Sequence, residues 1–297
     1  MKTIWTPTRE YYRRILEAGD PETRCRLYLD LLVEPWQSMM TSMPGVQQDD
    51  PLAGARAWAW LLPDQVTEMR AMLEKLEAAQ AWERGGEAIE EAARRFDRWQ
   101  GRIPFDTVTG WLVLGDPAHS NPFERGYTGA TDWFQPRLIG QIWDPNDYNL
   151  PRLPALLAHE LHHLVRMRLF PFNPMTTTVA DYIVIEGTAE AFAASLYGED
   201  KVGYFITEFD PADFEQARRL VGQGLQASGF DVIRGYIFGD ALAERSGFRP
   251  VGGMPTYGGY TIGYHMVQAF LQRSGLSIEE ATFLPADQIV RGSGFFA

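Results

Sequence analysis

His159, Glu160 and His163 are the residues whose types and spacing point most directly to chemistry, standing in the run His159-Glu-Leu-His-His163 with the pattern H-E-x-x-H. Residues four apart share one face of a helix, so the imidazoles of His159 and His163 can grip one metal ion together. Glu160 then sits beside that metal without ligating it, placed to take a proton from a water the metal holds. The implied chemistry is metal-assisted hydrolysis with a glutamate as general base. A surface helix with a few polar residues would be the plainer account, but the neighbourhood opposes it. Leu153, Leu156, Leu157, Leu161, Leu164 and Val165 surround the histidines. A buried run of that kind does not carry three His and a Glu without partners. His162 lies three residues from His159 and could also face inward. A His159/His162 ligand pair would put Glu160 in a less useful place, so His162 is assigned a supporting or structural role.

A hydrolytic zinc site needs three protein ligands and an open position. The third can come from the apolar segment 179–197, whose acids are Asp181, Glu186 and Glu190. Glu186 and Glu190 are four apart and share a helix face. The intervening chain allows the first helix to end, a loop through Pro171 and Pro174, and an antiparallel return. Gly187, beside Glu186, would let the two metal helices approach closely. A purely structural account pairs these acids with Arg166 or Arg168, and leaves the histidines unexplained.

H-E-x-x-H followed by E-x-x-x-E on the next helix resembles the gluzincin pattern of thermolysin-like peptidases. Three stretches resemble more closely a family of predicted zinc-dependent proteases of otherwise unknown function: His159-Glu-Leu-His-His-Leu-Val-Arg166, Ile185-Glu-Gly-Thr-Ala-Glu190 and Gly259-Tyr-Thr-Ile-Gly-Tyr-His265. Ser277-Ile-Glu-Glu-Ala-Thr-Phe-Leu-Pro-Ala286 is similar to that family's ending, and the likeness spans roughly residues 103 to 295. The resemblance implies zinc held by His159, His163 and Glu186, with Glu160 as catalytic base. Glu190 would be the acid that orients a ligand histidine. The rival order, Glu190 as ligand and Glu186 as its support, stays open on spacing alone.

Peptide hydrolysis develops negative charge on the former carbonyl oxygen, and a donor must meet it. In peptidases of this kind a Tyr or His often does so. Tyr260, Tyr264 and His265, at the start of an apolar helix reaching about Leu271, are the candidates, and at least one is expected to line the site. Tyrosines of this kind also serve as ordinary core residues with satisfied hydroxyls. The strand 137–143 either pairs with extended substrate as an edge strand or is an ordinary core strand. The loop Phe170-Pro-Phe-Asn-Pro-Met175 either flanks the cleft or packs on the body.

A chain of 297 residues with 45% hydrophobic content can bury a large core. The formal charge of −12 excludes a phosphate-neutralising surface, so nucleic acid is not an expected partner. Arg94, Arg95, Arg98 and Arg102 read as a solvated helix face. Cys25 is the only cysteine, which precludes an internal disulfide and fits a reducing compartment. No apolar leader and no run of eighteen apolar residues occurs, so a cytoplasmic protein without membrane association is expected. The partner expected is a peptide or protein substrate, and the sequence does not fix the oligomeric state.

Helical periodicity occupies Tyr11–Ala18, Glu22–Val33, Pro63–Ala81 and Glu87–Trp99, with Gly85-Gly86 as a break. Met43–Gly54 reads as a polar loop. Trp111–Leu114 and Arg137–Trp143 read as strands, and Gly126–Ala130 as a turn-rich segment. Asn149 is the expected N-cap of the first metal helix, with Pro151 and Pro154 in its first turn. The expected fold class is α+β: mainly helical, with a small sheet preceding a zincin-type two-helix metal site. A helical N-terminal region over 1–100 would precede a zincin-like metallopeptidase domain over 101–297, or the two would form one continuous domain. The function expected is a zinc metallopeptidase. The competing readings are a zinc hydrolase of another amide or ester, and a catalytically inactive binding module of the same fold. The second is disfavoured because such a module has no need for Glu160.

Overall fold

Residues 1–42, 46, 49–119 and 123–297 are described by a computed structural model of the chain. The fold is α+β, mainly helical with one small mixed sheet. The strands are β1 (Lys2–Trp5), β2 (Thr107–Leu114), β3 (Tyr127–Thr131) and β4 (Arg137–Ile142), in the spatial order β1-β2-β4-β3. The longer helices are labelled α1 (Thr8–Glu17), α2 (Pro21–Tyr28), α3 (Val66–Ala78), α4 (Ala81–Arg95), α5 (Leu153–Leu169), α6 (Val179–Tyr197), α7 (Phe214–Gly224), α8 (Phe230–Phe238), α9 (Gly258–Ser274) and α10 (Ala286–Ser293). The chain forms two compact units, 1–97 with 105–161 and 98–104 with 162–297. The division falls inside α5, which is continuous through it.

In the first unit, β2 pairs in parallel with both β1 and β4, while β3 pairs antiparallel to β4. The run Trp111-Leu-Val-Leu114 is buried on both faces, as a central parallel strand requires. Helix α1 is fixed to β2 by hydrogen bonds. Thr8 Oγ1 donates to Leu112 O at 2.6 Å, and the Leu114 N–H donates to the Tyr12 hydroxyl at 3.0 Å.

The N-terminus forms a strand, β1, whose Trp5 ring lies over α4. A Cβ on Gly85 would come within 2.5 Å of that ring. Gly85-Gly86 therefore lie inside α4 rather than breaking it, because the indole fills the space a side chain would need. The turn-rich segment 126–130 is largely strand β3, the sheet's outer strand. It follows that β4, expected as an edge or core strand, is interior, and β3 holds the edge. Of the polar loop 43–54, residues 43–45 and 47–48 lie outside the described residues, and its last two residues open a short helix, Ala53–Ala57. Glu22–Val33 is α2 continued by a π-helical turn, Leu29–Val33.

Asn149 does not cap with its side chain. Its amide instead donates to Arg125 O at 2.8 Å and Asp144 O at 2.7 Å, and its Oδ1 accepts from the Asn146 N–H at 3.1 Å. It ties together the loop that delivers the chain from β4, while a short 3₁₀ turn, Leu150–Arg152, leads into α5.

In the second unit, α6 is buried around nearly its whole circumference, as its uniformly apolar sequence requires. Its start is fixed by a capping box: Thr178 Oγ1 accepts from the Asp181 N–H at 3.1 Å, and the Asp181 carboxylate accepts from the Thr178 N–H at 2.9 Å. Asp181, one of three acids in this helix, is thereby assigned to its terminus. Gly198 ends the helix, its N–H returning to Ala194 O at 2.8 Å. Among the described residues no helix is long and apolar enough to cross a membrane.

Candidate metal centre

Helix α5 carries His159 and His163 one turn apart on one face, and both are buried. His163 Nε2 lies 3.3 Å from Glu186 Oε2 of α6. One ligand atom from each of His159, His163 and Glu186 lies within 4.8 Å of the others. Two imidazoles and one carboxylate, converging at that spacing and shielded from bulk water, are a donor set that fits zinc.

Glu160, the next residue on α5, turns toward the sheet. Thr131 Oγ1 lies 2.9 Å from Glu160 Oε2 and 3.0 Å from the Glu160 carbonyl oxygen, so its hydroxyl proton holds the side chain against β3. Two residues away on the same face of β3 is Gly129. A Cβ there would collide with the Glu160 carboxylate. Strand β3 therefore supplies both the space and the anchor for Glu160, and it does so from the edge of the sheet. Gly129 and Thr131 were not identified from the sequence. Their only trace is the short run Tyr-Thr-Gly-Ala-Thr, whose Gly-Ala centre breaks the strand pattern and which carries no sign of a partner about thirty positions away.

His162 faces elsewhere. Its Nε2 lies 2.9 Å from Thr282 Oγ1 and its ring stands 5.4 Å from that of Phe192. Since the Thr282 hydroxyl donates to Ile278 O at 2.8 Å, it accepts from His162, which fixes Nε2 as the protonated nitrogen. Arg166, one turn further on, donates from Nη1 to Thr282 O at 2.8 Å and from Nη2 to Leu284 O at 3.2 Å. Burial pulls its pKa down to about 10, a shift opposed by the charge of Asp181. The segment 277–286, opened by a Ser277/Glu280 capping box, is thus the support behind α5.

Glu190, one turn beyond Glu186, accepts from the Gly203 N–H at 3.1 Å. Gly187 does not serve the α5–α6 contact expected of it. It faces α9, where an added Cβ would overlap the Gly263 carbonyl, and a Cβ on Gly263 would overlap Ile183 O. The three candidate donors of α9 stand in different surroundings. Burial, and then the charge of Glu186, push the Tyr260 hydroxyl well above the ordinary tyrosine range. Tyr264 is pushed up to about 12 by burial and feels Glu199 and Glu190. His265 is lowered by burial and packs on Phe214, ring centroids 5.1 Å apart. Tyr260 is the one that registers Glu186. Its ring stands 4.3 Å from Phe205 and 5.7 Å from Phe238, in an aromatic cluster with Tyr204 and Tyr257. The loop after α5 packs on the body: Phe172 meets Tyr182 at 5.8 Å and Phe230 at 6.1 Å.

The chain belongs to the family of predicted Zn-dependent proteases (DUF2268), whose model matches residues 81–291. It is 30% identical over 304 aligned positions to the uncharacterized protein YjfC of Bacillus subtilis (strain 168), covering 100% of both chains. It is 28% identical over 147 positions to the uncharacterized protein YjaZ of the same organism, covering 48% of this chain and 53% of that one. No solved structure gives a significant match.

Proposed function

We propose that this protein is a zinc metallopeptidase of gluzincin type, with His159, His163 and Glu186 as metal ligands and Glu160 as general base. The observation that carries the reading is the convergence of three buried ligand atoms within 4.8 Å, with the next residue after His159 a glutamate whose carboxylate Thr131 holds. A bound zinc would polarise the substrate carbonyl and bring the pKa of a coordinated water toward ~7.

The chain's own residues do the rest. Glu160 Oε2, fixed by Thr131, accepts the proton of the attacking water and passes it to the leaving amine nitrogen. The Tyr260 hydroxyl, kept protonated by its surroundings, is a donor for charge developing on the carbonyl oxygen. Glu190 keeps the ligand set oriented from the same face of α6. The open edge of β3, which carries Gly129 and Thr131, is suited to receive extended peptide backbone as an added strand.

Metal analysis together with a peptide-library cleavage assay tests the reading. Purified protein should hold one zinc per chain, and both His159→Ala and Glu186→Ala should lose it. Glu160→Gln should keep the metal and lose hydrolysis. Full zinc retention in both ligand variants, or near-normal turnover by Glu160→Gln, would overturn it. Zinc binding with cleavage of other amides or esters but of no peptide in the library would redirect the assignment to those substrates.

A further inference from the structure

Arg234 of α8 is half-buried among three rings. Its guanidinium carbon stands 4.6 Å from the Phe230 ring centroid, 4.9 Å from that of Phe238 and 5.8 Å from that of Phe248. Aromatic rings attract a cation without supplying the oxygen acceptors its N–H groups call for. The Nε–H is enclosed and has no acceptor. The two Nη groups are not enclosed, and among the described residues nothing accepts from them and no carboxylate pairs with the charge. Asp231, one turn earlier on α8, is exposed and makes no ion pair with it. In a chain of net charge −12, an arginine held in place by rings and left without an acid is suited to an anion from outside. Its place in the second unit says which anion. Phe238, one turn beyond Arg234, stands 5.7 Å from the ring of Tyr260. The Tyr260 hydroxyl, pushed up by burial and then by Glu186 and Tyr182, is drawn back by the charge of Arg234. One phenol thus registers both a metal ligand and this cation.

We propose that Arg234, through Nη1 and Nη2, binds a carboxylate of the peptide substrate, so that the bonds cleaved lie within a residue or two of a free C-terminus or of an acidic side chain. The inference rests on the metallopeptidase reading, which puts Tyr260 at the scissile carbonyl; Arg234 lies beyond Tyr260 by a single ring, Phe238. The paired Nη donors match the two oxygens of a carboxylate. The flanking rings keep water from the pair and so strengthen it. The half-buried Phe238 and Phe248 rings offer apolar surface to the substrate side chain next to that carboxylate.

The test uses the zinc-loaded full chain carrying Glu160→Gln, which binds peptides without consuming them. Calorimetry compares N-acetyl-Ala-Ala-Phe with its C-terminal amide, and the amides of N-acetyl-Ala-Ala-Glu and N-acetyl-Ala-Ala-Gln with each other. Either the free acid should bind about tenfold or more tighter than its amide, or the Glu peptide tighter than the Gln peptide by as much. The first result assigns Arg234 to the chain terminus and the second to an acidic side chain. Adding Arg234→Met should abolish the preference. Because the preference is a ratio within one protein, a general loss of affinity does not imitate it. Arg234→Lys, which keeps the charge without the paired donors, should shrink the ratio and is the variant read if Arg234→Met does not fold. No preference in either pair, no binding of any of the four peptides at millimolar concentrations, or a preference that survives both substitutions, as it would if the carboxylate sat on zinc, would each overturn the proposal. Zinc content of the same samples separates the two readings. Protein without zinc counts against the metallopeptidase and takes this proposal with it, whereas zinc-loaded protein without the preference counts against Arg234 alone.

Discussion

Gly187 of α6 and Gly263 of α9 meet backbone to backbone, and neither has room for a methyl group. A Cβ on Gly187 would overlap the carbonyl of Gly263 and stand 3.0 Å from Tyr264 N, and a Cβ on Gly263 would overlap Ile183 O. One residue before Gly187 is Glu186, and one turn before Gly263 is Tyr260. The crossing therefore sets how closely the Glu186 and Tyr260 segments of the two helices approach.

Gly263→Ala is expected to separate the two helices at this point. Overpacking a tight contact typically costs about 1–3 kcal/mol, and here the obstacle is backbone, which yields less than a side chain. Denaturant unfolding should show a loss in or above that range, with weaker zinc retention as Glu186 shifts. Wild-type stability and wild-type zinc affinity in this variant would mean that the two helices are not held at this separation.

Thr131→Val removes the hydroxyl that holds Glu160 and keeps shape and strand preference. Zinc content should be unchanged, because no ligand is touched, and stability should fall by only about 1 kcal/mol. Turnover should drop by ~10-fold or more, as when an orienting partner is lost from a metal site. An unchanged kcat would reduce Thr131 to an ordinary strand residue.

Tyr260→Phe and Tyr264→Phe separate the two phenols of α9. If Tyr260 donates to the developing oxyanion, its loss should lower kcat by ~10²–10³ with little change in KM. Tyr264 interacts with Glu199 and Glu190 rather than Glu186, so Tyr264→Phe should leave kcat within a few-fold of wild type. Equal effects of the two substitutions would refute the distinction.

These residues differ in how visible they are in the sequence. The His159/Glu160/His163 arrangement and the Glu186/Glu190 pair follow from helical periodicity, which fixes local neighbours whatever the rest of the chain does. Thr131 and Gly129 meet Glu160 only because β3 adds to the edge of the sheet, a non-local pairing that Tyr-Thr-Gly-Ala-Thr does not specify. Gly85-Gly86 has the composition of a helix break, yet lies within α4 because Trp5, some eighty residues earlier, occupies the space beside it. Gly187 likewise signals close approach from its composition, while its partner, α9 rather than α5, is a tertiary fact. The different surroundings of Tyr260, Tyr264 and His265 likewise follow from tertiary packing around α9 and not from their spacing.

Glu190 offers the sharpest test of the ligand order. It shares a face of α6 with Glu186, and its Oε2 accepts from the Gly203 N–H at 3.1 Å, so part of its role is to hold the chain that follows α6. Glu186 Oε2, in contrast, lies 3.3 Å from His163 Nε2 and belongs to the converging set. Glu186→Ala should therefore remove a ligand outright. Glu190→Ala should weaken zinc by the ~10–100-fold typical of a residue that orients ligands. Competition of both variants against a graded series of chelators, with wild type alongside, reads the order directly. Greater loss in Glu190→Ala would make Glu190 the ligand and Glu186 its support. Wild-type affinity in Glu190→Ala would leave it as the anchor of Gly203 alone, and then melting temperature rather than metal content should respond.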